Sequence, residues 1–470
     1  MKLSHWLDHI ALTHPREIDL GLDRVREVAG RMGLARPAPV VFTVAGTNGK
    51  GSTVAAVEAI LLASGLRTGA YLSPHIERFN ERFRVNGAEC DDESICAALA
   101  QVERARAEQA RVEQTRGATP LTYFEFATLA ALSIFSRAGL DCAVLEVGLG
   151  GRLDAVNIVD ADVALITNIA LDHQHWLGDT REAIGAEKAG ILRPNAPLVY
   201  GEAQAPASIT RRAAELNAPL WRKDRDFGAE IDGGSWSWWG RAGDGSTVRL
   251  EGLEAPELPL AAMAAALQAL HVSPLSPFAL VDDDSIRAGI RATQGSIHAS
   301  QGGIYAAQKA AALPGRLEWR RDRASGLPAL LDVAHNPAAA GRLAGKIATL
   351  RAAGGAGGKV AAVLAMLADK DIEGFAAALG GVVDVWYIAA IDNSRALSAV
   401  EQARRLRRRL PGAEARVAGS VAEAWRAAVA SGAEFAVATG SFHTVAAVRP
   451  LTRAFKAKSG GVSLQPFFAA

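Results

Sequence analysis

The sequence predicts an α/β protein of two domains: a P-loop-type parallel-sheet domain followed by a smaller α/β carboxyl-terminal domain. Three observations predict it. At 470 residues the chain exceeds one ordinary domain. Short β-branched runs alternate with longer helical patterns in both halves, as in a parallel sheet wrapped by helices. A glycine loop, Gly46-Thr47-Asn48-Gly49-Lys50-Gly51-Ser52-Thr53, joins an apolar β-run to a helix.

The first run, Val40 to Ala45, breaks into that loop. Its glycines free backbone N–H groups to face an anion, Lys50 adds a point charge, and a helix expected from Ser52 brings its positive dipole end to the same place. The spacing departs from the common P-loop, which needs glycine where Val44 stands and a hydroxyl where Gly51 stands. Further strands are expected at Thr68–Leu72, Cys142–Val147, Val163–Ile169 and Ala196–Tyr200. Polar residues gather where these runs end: Lys50 after the first, Ser73 after the second, Glu146 in the third, Asp172 and His173 after the fourth. Ligands of open α/β sheets collect outside the carboxyl ends of strands.

Beyond Gly201, Ser235 to Trp239 and Ser246 to Leu250 alternate like a hairpin, with its tryptophans read as a packed face. Leu260 to Leu270 reads as an alanine-rich helix, and Gln294 to about Ala310 as a linker rich in Gly, Ser, Gln and Ala. Strands at Ala329–Val333, Val360–Leu364, Val385–Ala389 and Glu434–Ala438 form the second unit. The expected division is 1–293, linker or insertion 294–311, and 312–470.

Composition narrows the function. Lys and Arg total 51 against 50 Asp and Glu, so no polyelectrolyte field recommends nucleic acid as a partner. The basic run Arg404 to Arg409 interleaves with Ala403, Leu406 and Leu410 at helical spacing and reads as a solvated helix face. Charged residues and histidines interrupt the first 20 residues, so no signal peptide is expected, and no stretch nears the roughly 18 apolar residues of a membrane span. Cys90, Cys96 and Cys142 are odd in number and form no C-x-x-C, which fits reduced thiols in a cytoplasmic protein.

Glu146 and His173, with Ser73 as a third donor, are groups that a Mg²⁺ holding nucleotide phosphates accepts. Each has a plainer alternative: a helix cap, a carbonyl hydrogen bond, a turn start before Pro74.

These motifs, together with Leu72-Ser73-Pro74-His75, Leu121 to Glu125, Leu145 to Ala155, Leu171-Asp172-His173, Glu187 to Gly190, Leu313 to Arg316 and Asp332 to Pro337, closely resemble the bacterial dihydrofolate synthase/folylpolyglutamate synthase family. The resemblance runs from near Asp19 to Thr444. That family belongs with the muramyl-peptide ligases, so it implies an ATP-binding amino domain, a Rossmann-like carboxyl domain and amide formation between them. A carboxylate is a poor electrophile; transfer of the γ-phosphoryl group of ATP makes an acyl phosphate that an amine can attack.

By this resemblance Thr47, Asn48, Gly49, Lys50, Gly51 and Ser52 bind ATP phosphates, with Ser73, Glu146 and His173 as Mg²⁺ ligands. Lys188 matches a carbamylated lysine, whose CO₂ adduct turns a cation into an anion once the amine is desolvated enough to lose its proton. Arg316 and Asp332 match ATP contacts, while His335 and Ser441 match positions near the incoming L-glutamate. The pterin positions are Glu17, Ile18, Asp19 and Leu20; Thr122, Tyr123, Phe124 and Glu125; and Leu153, Asp154 and Ala155, with Phe124 stacking and Asp154 accepting from pterin N–H groups. The implied enzyme is a monomer joining glutamate to dihydropteroate and then extending reduced folates. The alternatives are polyglutamylation alone, or nucleotide binding without catalysis.

Two departures stand out. Where relatives carry an asparagine that contacts adenine, this chain has Ala262, and the segment from Gln294 to about Ala310 is extra.

Overall fold

The computed structural model describes residues 1–112, 118–232, 235–254, 256, 258–275, 281–293, 313–353, 358–393 and 395–454. The 294–311 linker or insertion lies outside them. The described residues form two compact units, one before and one after this stretch.

The first unit is built on eight strands: β1 (Val40–Ala45), β2 (Thr68–Tyr71), β3 (Phe83–Val85), β4 (Ala88–Glu89), β5 (Cys142–Glu146), β6 (Val163–Ile166), β7 (Leu198–Tyr200) and β8 (Leu220–Arg222). Their order is β4-β3-β2-β5-β1-β6-β7-β8. The strands from β2 to β8 in that order pair in parallel, and β3 and β4 add an antiparallel edge. Every residue of β1 is buried, because helices cover both faces of a central parallel strand and leave no place for alternation. Register pairs Val44 with Glu146 and Ala45 with Ile166, so the ends of β5, β1 and β6 meet at one edge.

The helix Lys50–Ala63 is buried from Gly51 to Leu61 and packs against the helices Leu260–His271 and Asp283–Ala292. Ala262, Ala264, Ala265, Ala266 and Ala269 are all buried in the first of these, so alanine there serves close helix packing. Beside them lie β9 (Gly228–Asp232), β10 (Ser235–Arg241) and β11 (Thr247–Glu254), an antiparallel sheet in the order β11-β10-β9. The expected hairpin is β10 and β11. Trp236 and Trp238 form its buried face, and Trp238 stacks on His271 at 4.6 Å. The third strand, β9, was not expected; its two ends, Gly228 and Asp232, carry little strand signal.

The second unit holds β12 (Glu318–Asp322), β13 (Pro328–Leu331), β14 (Val360–Leu364), β15 (Val385–Ile388), β16 (Glu414–Val417), β17 (Phe435–Thr439) and β18 (Thr452–Ala454). The order is β16-β15-β14-β17-β13-β12-β18, parallel from β16 to β13 and antiparallel on both sides of β12. The four strands expected from sequence are the central ones. On the helix Ala399–Arg409, Ala403 and Leu406 turn inward while Arg404 and Arg405 pair with Glu401, as the basic run's spacing implies. Among the described residues, no helix is long and apolar enough to cross a membrane.

Candidate active site

The glycine loop leaves β1 at Gly46, whose φ of +146° is one that side-chain-bearing residues rarely adopt. A Cβ there would also sit 1.8 Å from Thr167 Oγ1. The loop is strapped to the segment after β6: Asn48 N–H donates to Asn168 Oδ1 (3.0 Å), Asn168 Nδ2 to Asn48 O (3.0 Å) and Thr167 Oγ1 to Asn48 O (2.7 Å). Thr47 N–H donates to Asn168 O (3.0 Å), so this strap engages two N–H groups that the sequence reading aimed at an anion.

The helix begins at Lys50, not at Ser52, because Gly49 in the left-handed region already caps it. Its first bond runs from Thr53 N–H to Gly49 O (3.0 Å), which leaves the Gly51 and Ser52 N–H groups at the helix end to meet an anion.

Two lysines meet at the loop. Lys50 Nζ donates to Gly46 O at 3.2 Å and to Thr47 O at 3.4 Å; Lys188 Nζ donates to the same Gly46 O at 2.9 Å. Lys188 ends the helix Arg181–Lys188, and only 3% of it is exposed. Its placement depends on Gly190, where a Cβ would lie 2.4 Å from Arg152 Cα. Arg152 N–H to Glu187 O (2.8 Å) and Asn157 Nδ2 to Gly190 O (3.0 Å) hold the two segments together. Burial, then the Lys50 cation, lower the Lys188 pKa to about 7, with Asp172 and Asp154 pulling the other way.

Glu146 ends β5 and is buried; its Oε2 accepts the Ser73 N–H at 2.9 Å, joining two of the sequence-predicted metal ligands directly. His173 has φ 51°, a left-handed conformation uncommon outside glycine, and its N–H donates to Asp172 Oδ1 at 2.9 Å. Glu146 supplies hard carboxylate oxygen and Ser73 a hydroxyl at one sheet edge, donor types that fit Mg²⁺, while among the described residues no three His, Cys, Asp or Glu side chains gather as a metal site.

The three pterin-matched segments differ in what their side chains do. Phe124 lies under the loop after β5, where a Cβ at Gly148 would be 2.6 Å from its ring, and 6.0 Å from the Tyr71 ring. Ala155 is buried, while Leu153, Tyr123, Ile18 and Leu20 are half-buried and Glu17 is exposed. Thr122 caps the helix Tyr123–Arg137 through a reciprocal box with Glu125. Glu125 is turned inward: Oε2 accepts the Thr122 N–H (2.8 Å) and hydroxyl (3.0 Å), and both oxygens accept Arg24 Nε. Asp154 is likewise engaged. Its Oδ2 accepts the Leu149 N–H (2.8 Å), its Oδ1 the Val156 N–H (3.0 Å), and burial pushes its carboxyl up to about 7.

In the second unit, Arg316, Asp332, His335 and Ser441 gather where β13 and β17 end. Asp332 accepts the Leu317 and Ala334 N–H groups at 2.9 Å each, and burial raises its pKa against these bonds and the nearby Arg316. The Arg316 guanidinium lies 4.8 Å from the Phe442 ring centre, and the His335 ring 6.0 Å from it. Ser441 caps the helix Phe442–Val448 by accepting the Thr444 N–H at 3.0 Å.

Comparison with known proteins decides the family. The Mur ligase middle domain matches residues 44–200, in the first unit, and the Mur ligase glutamate ligase domain matches 315–441, in the second. The dihydrofolate synthase/folylpolyglutamate synthase of Escherichia coli is 41% identical over 461 residues, covering 98% of this chain and 97% of that protein. The chain belongs to the dihydrofolate synthase/folylpolyglutamate synthase family. A Haemophilus influenzae member is 38% identical over 94% of this chain and 96% of its own length. Two solved members, the E. coli protein in complex with DHPP and ADP and a Yersinia pestis protein complexed with AMPPNP and Mn ion, superpose with TM-scores of 0.82 and 0.80. Their identities are 41% and 43%; each match covers 96% of this chain, and 97% and 98% of theirs.

Two residues that hold these segments in place carry no mark in the sequence reading, Asn168 and Arg24. Asn168 sits just past β6, where the strand-end rule that found Asp172 would have found it. Arg24, by contrast, gives no local signal, since Glu125 lies 101 residues away.

Proposed function

We propose that this chain joins L-glutamate to dihydropteroate, and then further glutamates to reduced folates, through ATP-activated acyl phosphates, using the residues assembled at the first unit's strand ends. The observation that carries the reading is the pair of lysines, Lys50 and Lys188, sharing the Gly46 carbonyl on the carboxyl edge that also bears Glu146. Two amines gathered on one backbone oxygen of a glycine loop, one buried and one half-buried, make a site that suits a bound anion, beyond the partial compensation that Asp154 and Asp172 supply.

Lys50 and the Gly51 and Ser52 N–H groups take the polyphosphate and favour the transferring γ-phosphoryl group. Ser73, Glu146 and His173 would hold Mg²⁺. Bound there, it neutralises phosphate charge and polarises the transferred group. Lys188 has a pKa of about 7, so a good fraction of its amine is neutral near neutrality and can take up CO₂. The resulting carbamate would face Lys50 as an anion. In the second unit, Arg316 and Asp332 are assigned to ATP and His335 and Ser441 to the incoming glutamate. The cytoplasm is the proposed setting, where the three unbridged cysteines suit a reducing medium.

The pterin is assigned to Glu17–Leu20, Thr122–Phe124 and Leu153–Ala155, with Asp154 and Glu125 recast as residues that shape the site rather than as free acceptors. Asp154→Asn then turns an amide NH₂ toward a backbone N–H and leaves it unsatisfied, at about 1–3 kcal/mol. Because the same loop abuts Lys188, both glutamate additions should slow together, by roughly tenfold or more. A loss confined to dihydropteroate, with tetrahydrofolate turnover unchanged, would return Asp154 to direct pterin contact.

ADP release tests the whole reading. Dihydropteroate plus glutamate and tetrahydrofolate plus glutamate should each support it. Release with tetrahydrofolate alone would leave polyglutamylation as the sole activity, and release in neither would leave a nucleotide-binding protein.

A further inference from the structure

The segment carrying Asp19 and Leu20 and the start of the Tyr123–Arg137 helix are joined by one guanidinium. Arg24, in the first turn of the helix Asp23–Arg31, directs Nε to both Glu125 oxygens at 2.9 and 3.0 Å. One terminal nitrogen donates to Asp19 Oδ2 at 2.5 Å and the other to the Asp19 backbone carbonyl. Glu125 is almost wholly buried, with 4% of its side chain exposed, and it also fixes Thr122 through that residue's N–H and hydroxyl. Thr13 Oγ1, donating to Leu121 O at 2.6 Å, ties the two segments together a second time.

We propose that Arg24 is a positioning residue for the pterin substrate: it locks the Glu17–Leu20 segment onto the Thr122–Glu125 helix start, so that the two walls of the pterin site keep one spacing. This rests on the assignment of those segments to the pterin. The planar fork of arginine is what permits the span, because its donors point in fixed directions toward two carboxylates and a carbonyl. A lysine at this position can satisfy one arm and leaves the other. Without Arg24, Glu125 keeps its cap to Thr122 and Asp19 keeps its local basic neighbours His14 and Arg16, at 3.4 and 3.5 Å, but the guanidinium that links Asp19 to Glu125 is gone and the 17–20 segment is held less closely to the helix start.

Arg24→Ala and Arg24→Lys, each assayed as the full chain, separate this role from general support of the fold. Arg24→Ala should raise KM for dihydropteroate roughly tenfold while KM for ATP stays within about twofold, and Arg24→Lys should fall between it and the unaltered protein. A parallel rise in both KM values would make Arg24 a support of the whole domain and overturn the proposal. Phe124→Ala is the control for the site itself. If it raises the dihydropteroate KM and Arg24→Ala does not, the lock is wrong and the pterin assignment stands; if neither does, both are wrong. Should Arg24→Ala fail to fold, Arg24→Lys decides by the same split between the two KM values.

Discussion

Lys188→Ala is expected to abolish amide formation with dihydropteroate and with tetrahydrofolate, by about a thousandfold or more, while the protein remains folded. The ammonium is buried beside the Lys50 cation; burial and that like charge outweigh the attraction of Asp172 and Asp154, so keeping it charged is a net cost to the native state. Removing it deletes a costly cation along with its hydrogen bond to Gly46 O, and the two losses offset one another in stability. Activity is another matter, because the variant cannot form the proposed carbamate that would face Lys50. Thermal unfolding within a few degrees of the unaltered protein, together with lost ADP release, is the expected pair of results. Near-normal turnover would remove the carbamate from the mechanism.

The pH dependence follows from the same group. CO₂ adds only to the neutral amine, so activity should fall as pH drops through about 7 and recover partly with added bicarbonate. The stability sign is separate. Folding lowers this pKa from 10.5 to about 7, so the unfolded chain binds more protons across that window, and the lysine's contribution to stability rises with pH there. Below about 7 both states are protonated, and the contribution is flat at its least favourable value.

Much of this architecture is legible because buried parallel strands write themselves as continuous apolar runs. Val40 to Ala45 and Val360 to Leu364 were read to the residue, since a strand buried between two helical layers is built almost wholly of apolar side chains. The antiparallel flank of the second sheet escapes that logic. Glu318-Trp319-Arg320-Arg321-Asp322 forms β12 with charges at four of five positions, which a local pattern reads as loop. The strand-end rule placed Lys50, Ser73, Glu146 and His173 at one sheet edge, because topology alone sends those positions there. Residue type shows less about partners. Asp154 reads as an acceptor awaiting a ligand and Glu125 as one of the pterin positions, yet backbone N–H groups of Leu149, Val156 and Thr122 already engage them. Arg24 was invisible for the converse reason: its partner is brought to it by the fold, not by spacing.

Glu146→Gln should be the second severe loss, and its signature should lie in Mg²⁺ dependence. One carboxylate oxygen is already fixed by the Ser73 N–H at 2.9 Å, which orients the other. Glutamine can keep the Ser73 bond through its amide oxygen, and its NH₂ then takes the place of the oxygen that would bind Mg²⁺. A donor of the wrong polarity replaces half a negative charge in a buried setting where electrostatic interactions are strong. Half-saturating Mg²⁺ for ADP release should therefore rise roughly 10- to 100-fold, with some activity restored at high Mg²⁺. Glu146→Ala loses the Ser73 bond as well, so its defect should be deeper and less responsive to added metal. The contrast between the variants separates the two jobs of this carboxylate, binding a cation and fixing the turn at Ser73. A Mg²⁺ titration of Glu146→Gln that overlays the unaltered protein would leave Glu146 with the second job only.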